Sequence, residues 1–226
     1  MAHVAFSAYR DSVTIRLVLA SASPARLSTL RSAGVEPQVV VSSVDESAVQ
    51  AAAETAAGRA LEPADIALLL ARAKSEDVAA TDPDTDLVLG CDSVLELDGE
   101  VHGKPADPAE AVSRWQRMRG RSGILHTGHW LVDVRDVEEG GTGGTVGATA
   151  STLVHFADLS DDEIQAYVAT GEPLRVAGAF TVDGLGGPYV SAIEGDYHTV
   201  VGVSLPVLRD LLGELQITWH TLRSGV

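Results

Sequence analysis

Cysteine occurs once in the 226 residues, at Cys91, so no internal disulfide can form, and a reducing cytoplasm suits such a chain. No apolar run approaches the roughly 20 residues needed to cross a bilayer. Residues Met1 to Thr14 lack the charged start and apolar centre of a signal peptide and read as a frayed lead. Four common catalytic or metal-binding signatures are missing: G-x-x-x-x-G-K-[ST], H-E-x-x-H, C-x-x-C and G-x-S-x-G. A serine hydrolase or a structural zinc site therefore has little support. Positive charge is scarce too. The formal net charge is −16, which repels nucleic-acid polymers and anionic membranes. A small anionic ligand remains open to such a chain if its few cations gather at a pocket. Of the 16 basic residues only Lys74 and Lys104 are lysines. Lysine is a compact point charge suited to a phosphate, whereas arginine is a planar fork.

What is present is ample apolar material, 45% of the chain, enough for a full core. Ile15 to Ala20 is a short β-branched run that reads as a buried strand. Ser23 then offers an N-cap and Pro24 a first helical position, with Gly34 as the stop. Gln38 to Ser43 reads as a strand and Ala64 to Ala80 as a helix carrying Lys74. Leu87 to Gly90 reads as a buried strand ending at Cys91-Asp92-Ser93, with a hairpin turning at Asp98-Gly99-Glu100. Pro108 to Arg119 is a helix capped by Asp107. Strands are expected over Thr127 to Val134, Ser151 to Phe156 and Val200 to Val203. The Gly- and Thr-rich stretch 136–149 between the first two reads as a mobile hairpin loop. Ser160 and Glu163 form a capping box opening a helix to Ala169, and Pro206 to Leu215 is a last helix. Gly184 to Pro188 reads as a tight turn. The fold class is α/β with a mixed central sheet and flanking helices, in a single domain over 15–220, in one body or two lobes around a cleft.

Several residue types fall where chemistry could use them. The helix from Pro24 presents unpaired N–H groups and a positive dipole end, with Ser21, Ser23 and Arg26 beside it, which would suit a phosphate. An ordinary capped helix explains the same residues. Asp92 follows an apolar strand, at the edge where α/β sheets bind ligands, and could hold Mg²⁺ or activate a water; a strand-end turn residue is the plain alternative. Asp45 and Glu46 are adjacent acids after a strand. Lys104 lies in a Gly-Lys-Pro turn from which it could reach a phosphate. Arg121, Ser122, His126 and Thr127 cluster between a helix and a strand; His126 could be a ligand or base, though a hydrogen-bonded structural histidine is the commoner case before a strand. Cys91, without a base partner, reads as a small buried hydrophobe.

Eight short segments, in order, carry a resemblance: LASASPARLSTLRSAG (Leu19 to Gly34), VDE (Val44 to Glu46), ARAKS (Ala71 to Ser75), GCDSV (Gly90 to Val94), DGEVHGKP (Asp98 to Pro105), HTG (His126 to Gly128), TGEP (Thr170 to Pro173) and VAGAF (Val176 to Phe180). Together they resemble the Maf family, over about Arg16 to Leu215. The resemblance implies a nucleoside triphosphate pyrophosphatase with an α/β fold related to the inosine triphosphatases, dependent on Mg²⁺ or Mn²⁺ and often a homodimer. It implies that Ser21, Ser23, Arg26 and Ser93 hold the substrate. It also implies that Glu46 and Asp92 bind the metal, that Asp92 is the general base, and that Lys74 and Lys104 neutralise phosphate charge. Ala25 departs from the family, which often has a basic or aromatic residue there; Arg121 could supply the missing contact. Asp183-Gly184-Leu185-Gly186 resembles members that take 7-methyl-GTP, where dTTP- and UTP-preferring members tend to carry a glutamine near Asp183. A carboxylate there can accept from the N1–H and N2–H₂ donors of guanine. A nucleotide-binding regulator of cell division, with weak or no catalysis, is the alternative function.

Overall fold

The computed structural model describes residues 15–81 and 84–223, so the lead to Thr14 lies outside the described residues. Seven strands form one sheet in the order β2-β1-β3-β5-β6-β7, with β4 pairing β3. β1 (Leu17–Leu19) lies parallel to β2 (Gln38–Val39) and to β3 (Leu87–Leu97). β4 (Glu100–His102), β5 (Ser122–Asp133), β6 (Thr145–Phe156) and β7 (Val190–Glu194) add antiparallel pairings. The sheet is therefore mixed, as the sequence pattern predicts.

Strand alternation divides the sheet faces. Leu87, Leu89 and Cys91 of β3 point into one apolar core, closed by Leu30 of α1 (Pro24–Ser32) and by Leu208, Leu211 and Leu212 of α7 (Leu205–Glu214). Leu95 and Leu97, on the same face, enter a second core with Trp115 and Met118 of α4 (Pro108–Met118), Tyr167 of α5 (Asp161–Ala169), Phe156 and Phe180. Ser93 sits between the two cores, as do Thr127 and His129 on β5, which makes a polar seam.

The opposite face is covered by α3 (Pro63–Ala79), with α2 (Glu46–Ala57) beside it. Helix α3 buries Ile66, Ala67, Leu70, Ala71, Lys74, Ser75 and Val78, one continuous stripe at helical spacing. It lies unusually close to the strands. A Cβ on Gly90 would strike the Ala71 carbonyl, and one on Gly128 would strike the main chain at Ala67 and Leu68. The two glycines sit on adjacent strands and let α3 rest on bare backbone.

Several expected boundaries shift. β3 does not stop at Gly90 but runs unbroken to Leu97, because β5 pairs with it from Leu87 to Glu96. Gln38 to Ser43 is a strand only over its first two residues, where β1 is available as a partner. β6 starts at Thr145 and claims part of the expected loop. What remains of that loop is tied down by the Asp133 carboxylate, which accepts from Arg135 and from the N–H and hydroxyl of Thr142. Val200 to Val203 is not a strand. Its first residues belong to α6 (Tyr197–Val201), because Asp196 caps that turn by accepting the His198 N–H at 3.1 Å, and the local cap overrides β-branched propensity. β7, not foreseen, pairs with β6.

Candidate active site

β3 is paired with β5 along nearly its whole length, but its other edge is shared. β1 covers Leu87 to Leu89 and β4 covers Leu95 to Leu97. Between them, among the described residues, that edge has no strand partner. The opening holds Asp92 and Ser93, and the chain leaving β1 delivers Ser21, Ser23 and the start of α1 to the same place. It is a gap in a split sheet, the kind of position where α/β proteins bind ligands.

On the α3 side of the opening, Lys74 Nζ lies 2.5 Å from Asp92 Oδ1 and 2.7 Å from Glu46 Oε1. Asp92 and Lys74 are buried, while half of the Glu46 side chain is exposed. Glu46 is the first residue of α2, placed by the neighbouring Asp45, which caps the helix by accepting the Ala48 N–H. Burial pushes the Asp92 carboxyl above its ordinary value, against the pull of Lys74 and Arg26.

On the other face, Arg26 is buried and its guanidinium is largely committed. Nε donates to the Gly202 carbonyl at 2.7 Å, Nη1 to Ser21 Oγ at 2.9 Å and Nη2 to Ser93 Oγ at 3.0 Å. A guanidinium has five N–H donors, so two remain for a ligand. Ser93 and Thr127 hydroxyls are 2.9 Å apart, and Thr127 donates onward to the Thr199 carbonyl at 2.8 Å. Ser23 caps α1, accepting the Arg26 N–H at 3.4 Å, and no acidic residue in the first turn offsets the dipole. His129 accepts the Ser204 N–H on Nε2 at 2.7 Å, and burial lowers its pKa to about 4, so it is neutral.

The structure thus brings together Glu46, Lys74 and Asp92 on one side of the opening and Ser21, Ser23, Arg26 and Ser93 on the other. Lys104 is exposed in the turn after β4 and has no salt bridge among the described residues. Asp183 is exposed in the turn before β7, close enough to Tyr197 for its charge, after burial, to help raise that phenol's pKa.

Arg121 is a correction. It is ion-paired with Asp98 at the β3–β4 turn and is not at the opening, so it does not replace the residue missing at Ala25. Of its sequence neighbours, Ser122 pairs with His155, and His126 is held between Ser151 at 2.8 Å and Glu96 at 3.0 Å, a structural histidine as expected. Only Thr127 reaches the site. Cys91 is fully buried, and burial pushes its thiol up to about 11. Thr199, His129 and Ser204 were missed. They are scattered in sequence: the strand alternation that puts Thr127 and His129 beside Ser93 could have pointed to His129, and nothing local points to Thr199 or Ser204.

Fold and site define an α/β protein with an acid–lysine cluster in a split mixed sheet, backed by a buried arginine and a capped helix start. Residues 16–215 match the family model described as Maf-like protein, and the chain belongs to that family. It is 60% identical to a nucleoside triphosphate pyrophosphatase of Salinispora tropica over 91% of this chain and 86% of the relative. It is 54% identical to one of Leifsonia xyli subsp. xyli over 94% and 99% of the two chains, and 48% identical to one of Nostoc punctiforme over 88% and 92%.

Proposed function

We propose that this chain hydrolyses nucleoside triphosphates to the monophosphate and pyrophosphate at the opening between β1 and β4. The observation that carries this is the convergence of Asp92 and Glu46 on Lys74 at that opening. Buried charge is costly unless it is paired, and Glu46, half exposed, puts one edge of this cluster in contact with solvent. The names of the relatives support the same reaction.

The donor set fits a divalent ion that arrives with its nucleotide. No group of three or more His, Cys, Asp or Glu able to hold a metal occurs among the described residues. Mg²⁺ is commonly held by one or two carboxylates plus phosphate oxygens and water, and Glu46 and Asp92 supply two carboxylates. Mg²⁺ or Mn²⁺ bound there would polarise the phosphate and offset its charge.

The chain's own groups do the rest. Asp92, whose burial favours accepting a proton, takes one from the attacking water as the bond to the α-phosphorus forms and the bond to the pyrophosphate oxygen breaks. Lys74 and Lys104 offset the charge that builds on the phosphate oxygens. Ser21 is fixed by Arg26, so its hydroxyl and the two remaining guanidinium N–H groups are oriented before substrate arrives; Ser93, whose proton goes to Thr127, serves the phosphates by holding Arg26 in place. Ser23 and the start of α1 add main-chain donors. Asp183 selects the base, accepting from the N1–H and N2–H₂ donors of a guanine-type ring such as that of 7-methyl-GTP.

The catalytic unit is a single domain over 15–220 with lobes on either side of the opening. No helix among the described residues is long and apolar enough to cross a membrane. A cytoplasmic setting and a homodimer complete the proposal; light scattering of the purified chain reads the second. The deciding assay is pyrophosphate release from a panel of canonical and modified nucleotides, wild type beside Asp92→Asn. Release by the wild type alone supports the reaction and ranks the bases. Nucleotide binding without any release would favour the regulatory alternative, and orthophosphate in place of pyrophosphate would mean that a different bond is cut.

A further inference from the structure

The turn that carries Asp183 is folded around one carboxylate. Glu172 lies just past α5, in the short helical stretch Glu172–Arg175. Its Oε1 accepts from the Tyr167 hydroxyl at 2.9 Å, the Thr181 hydroxyl at 2.6 Å and the Gly186 N–H at 2.9 Å. Its Oε2 accepts the Leu185 N–H at 2.9 Å. The wrap also explains the glycines of Gly184-Leu185-Gly186. A Cβ on Gly184 would strike the Glu172 carboxylate and the Thr181 hydroxyl, and one on Gly186 would strike the Tyr167 hydroxyl. Burial pushes the Glu172 carboxyl up, but these hydrogen bonds outweigh it and hold the group below its ordinary value, so it is ionised at neutral pH.

The turn is anchored in the second core, and the segment leading into it runs past β3 and Gly103. Tyr167, which also accepts the Thr181 N–H, is locked edge-on against Trp115 in the second core. Gly178 donates its N–H to the Gly103 carbonyl, beside Lys104, and packs on Leu95 of β3. Asp183 lies near enough to Tyr197, at the start of α6, for its charge to act on that phenol, and Gly202 at the end of α6 accepts from Arg26.

We propose that Glu172 is a positioning residue for base selection: its carboxylate folds the Thr181–Gly186 turn so that Asp183 is presented to the nucleobase at the opening. This rests on Asp183 reading the base. The Glu172 carboxylate is engaged by Tyr167, Thr181, Leu185 and Gly186, and none of these belongs to the acid–lysine cluster or the Arg26 network. Loss of its carboxylate therefore degrades discrimination among bases and leaves the chemical step alone.

The test compares wild type with Glu172→Gln, Asp183→Asn and the double variant, measuring kcat and KM for GTP, 7-methyl-GTP, UTP and dTTP. For Glu172→Gln the expected result is a KM for the preferred nucleotide raised about tenfold, with kcat within about twofold. The spread of kcat/KM across the four nucleotides should shrink about fivefold or more, and the double variant should be no worse than Asp183→Asn alone. An equal proportional loss on all four nucleotides, a loss carried by kcat, or additive losses in the double variant would overturn the proposal. Should Glu172→Gln fail to fold, Thr181→Val removes one of the four hydrogen bonds and must shift the ranking in the same direction, or the proposal falls. If Asp183→Asn leaves the ranking unchanged, the base reading fails and takes the proposal with it. If Asp183→Asn changes the ranking and Glu172→Gln does not, Asp183 keeps its role and only the part given to Glu172 is wrong.

Discussion

Asp92, Lys104 and His129 show how differently three polar residues can behave. On the proposed mechanism Asp92→Asn keeps the shape of the side chain and removes the proton acceptor, so kcat for pyrophosphate release should fall about 10²- to 10⁴-fold. The folded state should survive, which thermal melting of the same sample checks. Lys104 is exposed and unpaired among the described residues. Lys104→Ala should therefore change stability by no more than about 0.5 kcal/mol, while on the proposed role of Lys104 kcat/KM drops about tenfold.

His129 gives a pH dependence of stability. Its imidazole would ordinarily titrate at 6.5, and burial lowers this to about 4 in the folded chain. The unfolded chain therefore binds a proton that the folded chain refuses. Stability on this account is constant above about pH 6.5, declines as the pH falls from there to about 4, and loses up to about 3 kcal/mol in all. Urea unfolding at pH 7.5 and pH 5 should show the decline, and His129→Gln should flatten it.

Among the secondary-structure elements, α3 decides whether the acid–lysine cluster forms. Its separation from the sheet is set by Gly90 and Gly128, so the distance from Lys74 to Asp92 is fixed by two residues that carry no side chain. Gly90→Ala should cost about 1–3 kcal/mol through overpacking and lower kcat as Lys74 is lifted from Asp92. Denaturant midpoints and pyrophosphate release on one preparation would show both. A stability loss with kcat intact would mean that the helix shifts without carrying Lys74 away.

Much of this layer was legible in the sequence. The sequence shows the helix that carries Lys74, over Ala64 to Ala80; the structure adds that Lys74 lies on its buried stripe, where a lysine needs an acidic partner. The capping box at Ser160 and the Ser23–Pro24 helix start were legible for the same reason, since both are purely local. Less legible was anything decided by pairing. Asp92 looked like a strand-end residue because β3 turns polar there, yet β5 holds the strand straight through it. Alternation then sends Ser93 to the opposite face, so neighbours in sequence serve opposite sides of the opening. Arg121 seemed available because nothing nearby in sequence announces its pairing with Asp98.

For the whole molecule, the net charge of −16 works against compactness through self-repulsion. Sodium chloride screens charges separated by more than about 10 Å at 0.1 M, so the melting temperature should rise by a few degrees between about 10 mM and 150 mM salt. A flat or falling curve would mean that the ion pairs, such as Arg16 with Asp84 and Asp86, contribute more than the repulsion.

Arg26 ties the beginning of the chain to its last third, since Ser21 and Ser93 are oriented by a guanidinium that also grips the carbonyl of Gly202. During synthesis, everything the phosphates would touch on this side is made early, but its anchor emerges from the ribosome late. A nascent chain would therefore have no half-built site in which to trap or damage nucleotides. Catalytic competence should arrive all at once, after α6 has docked.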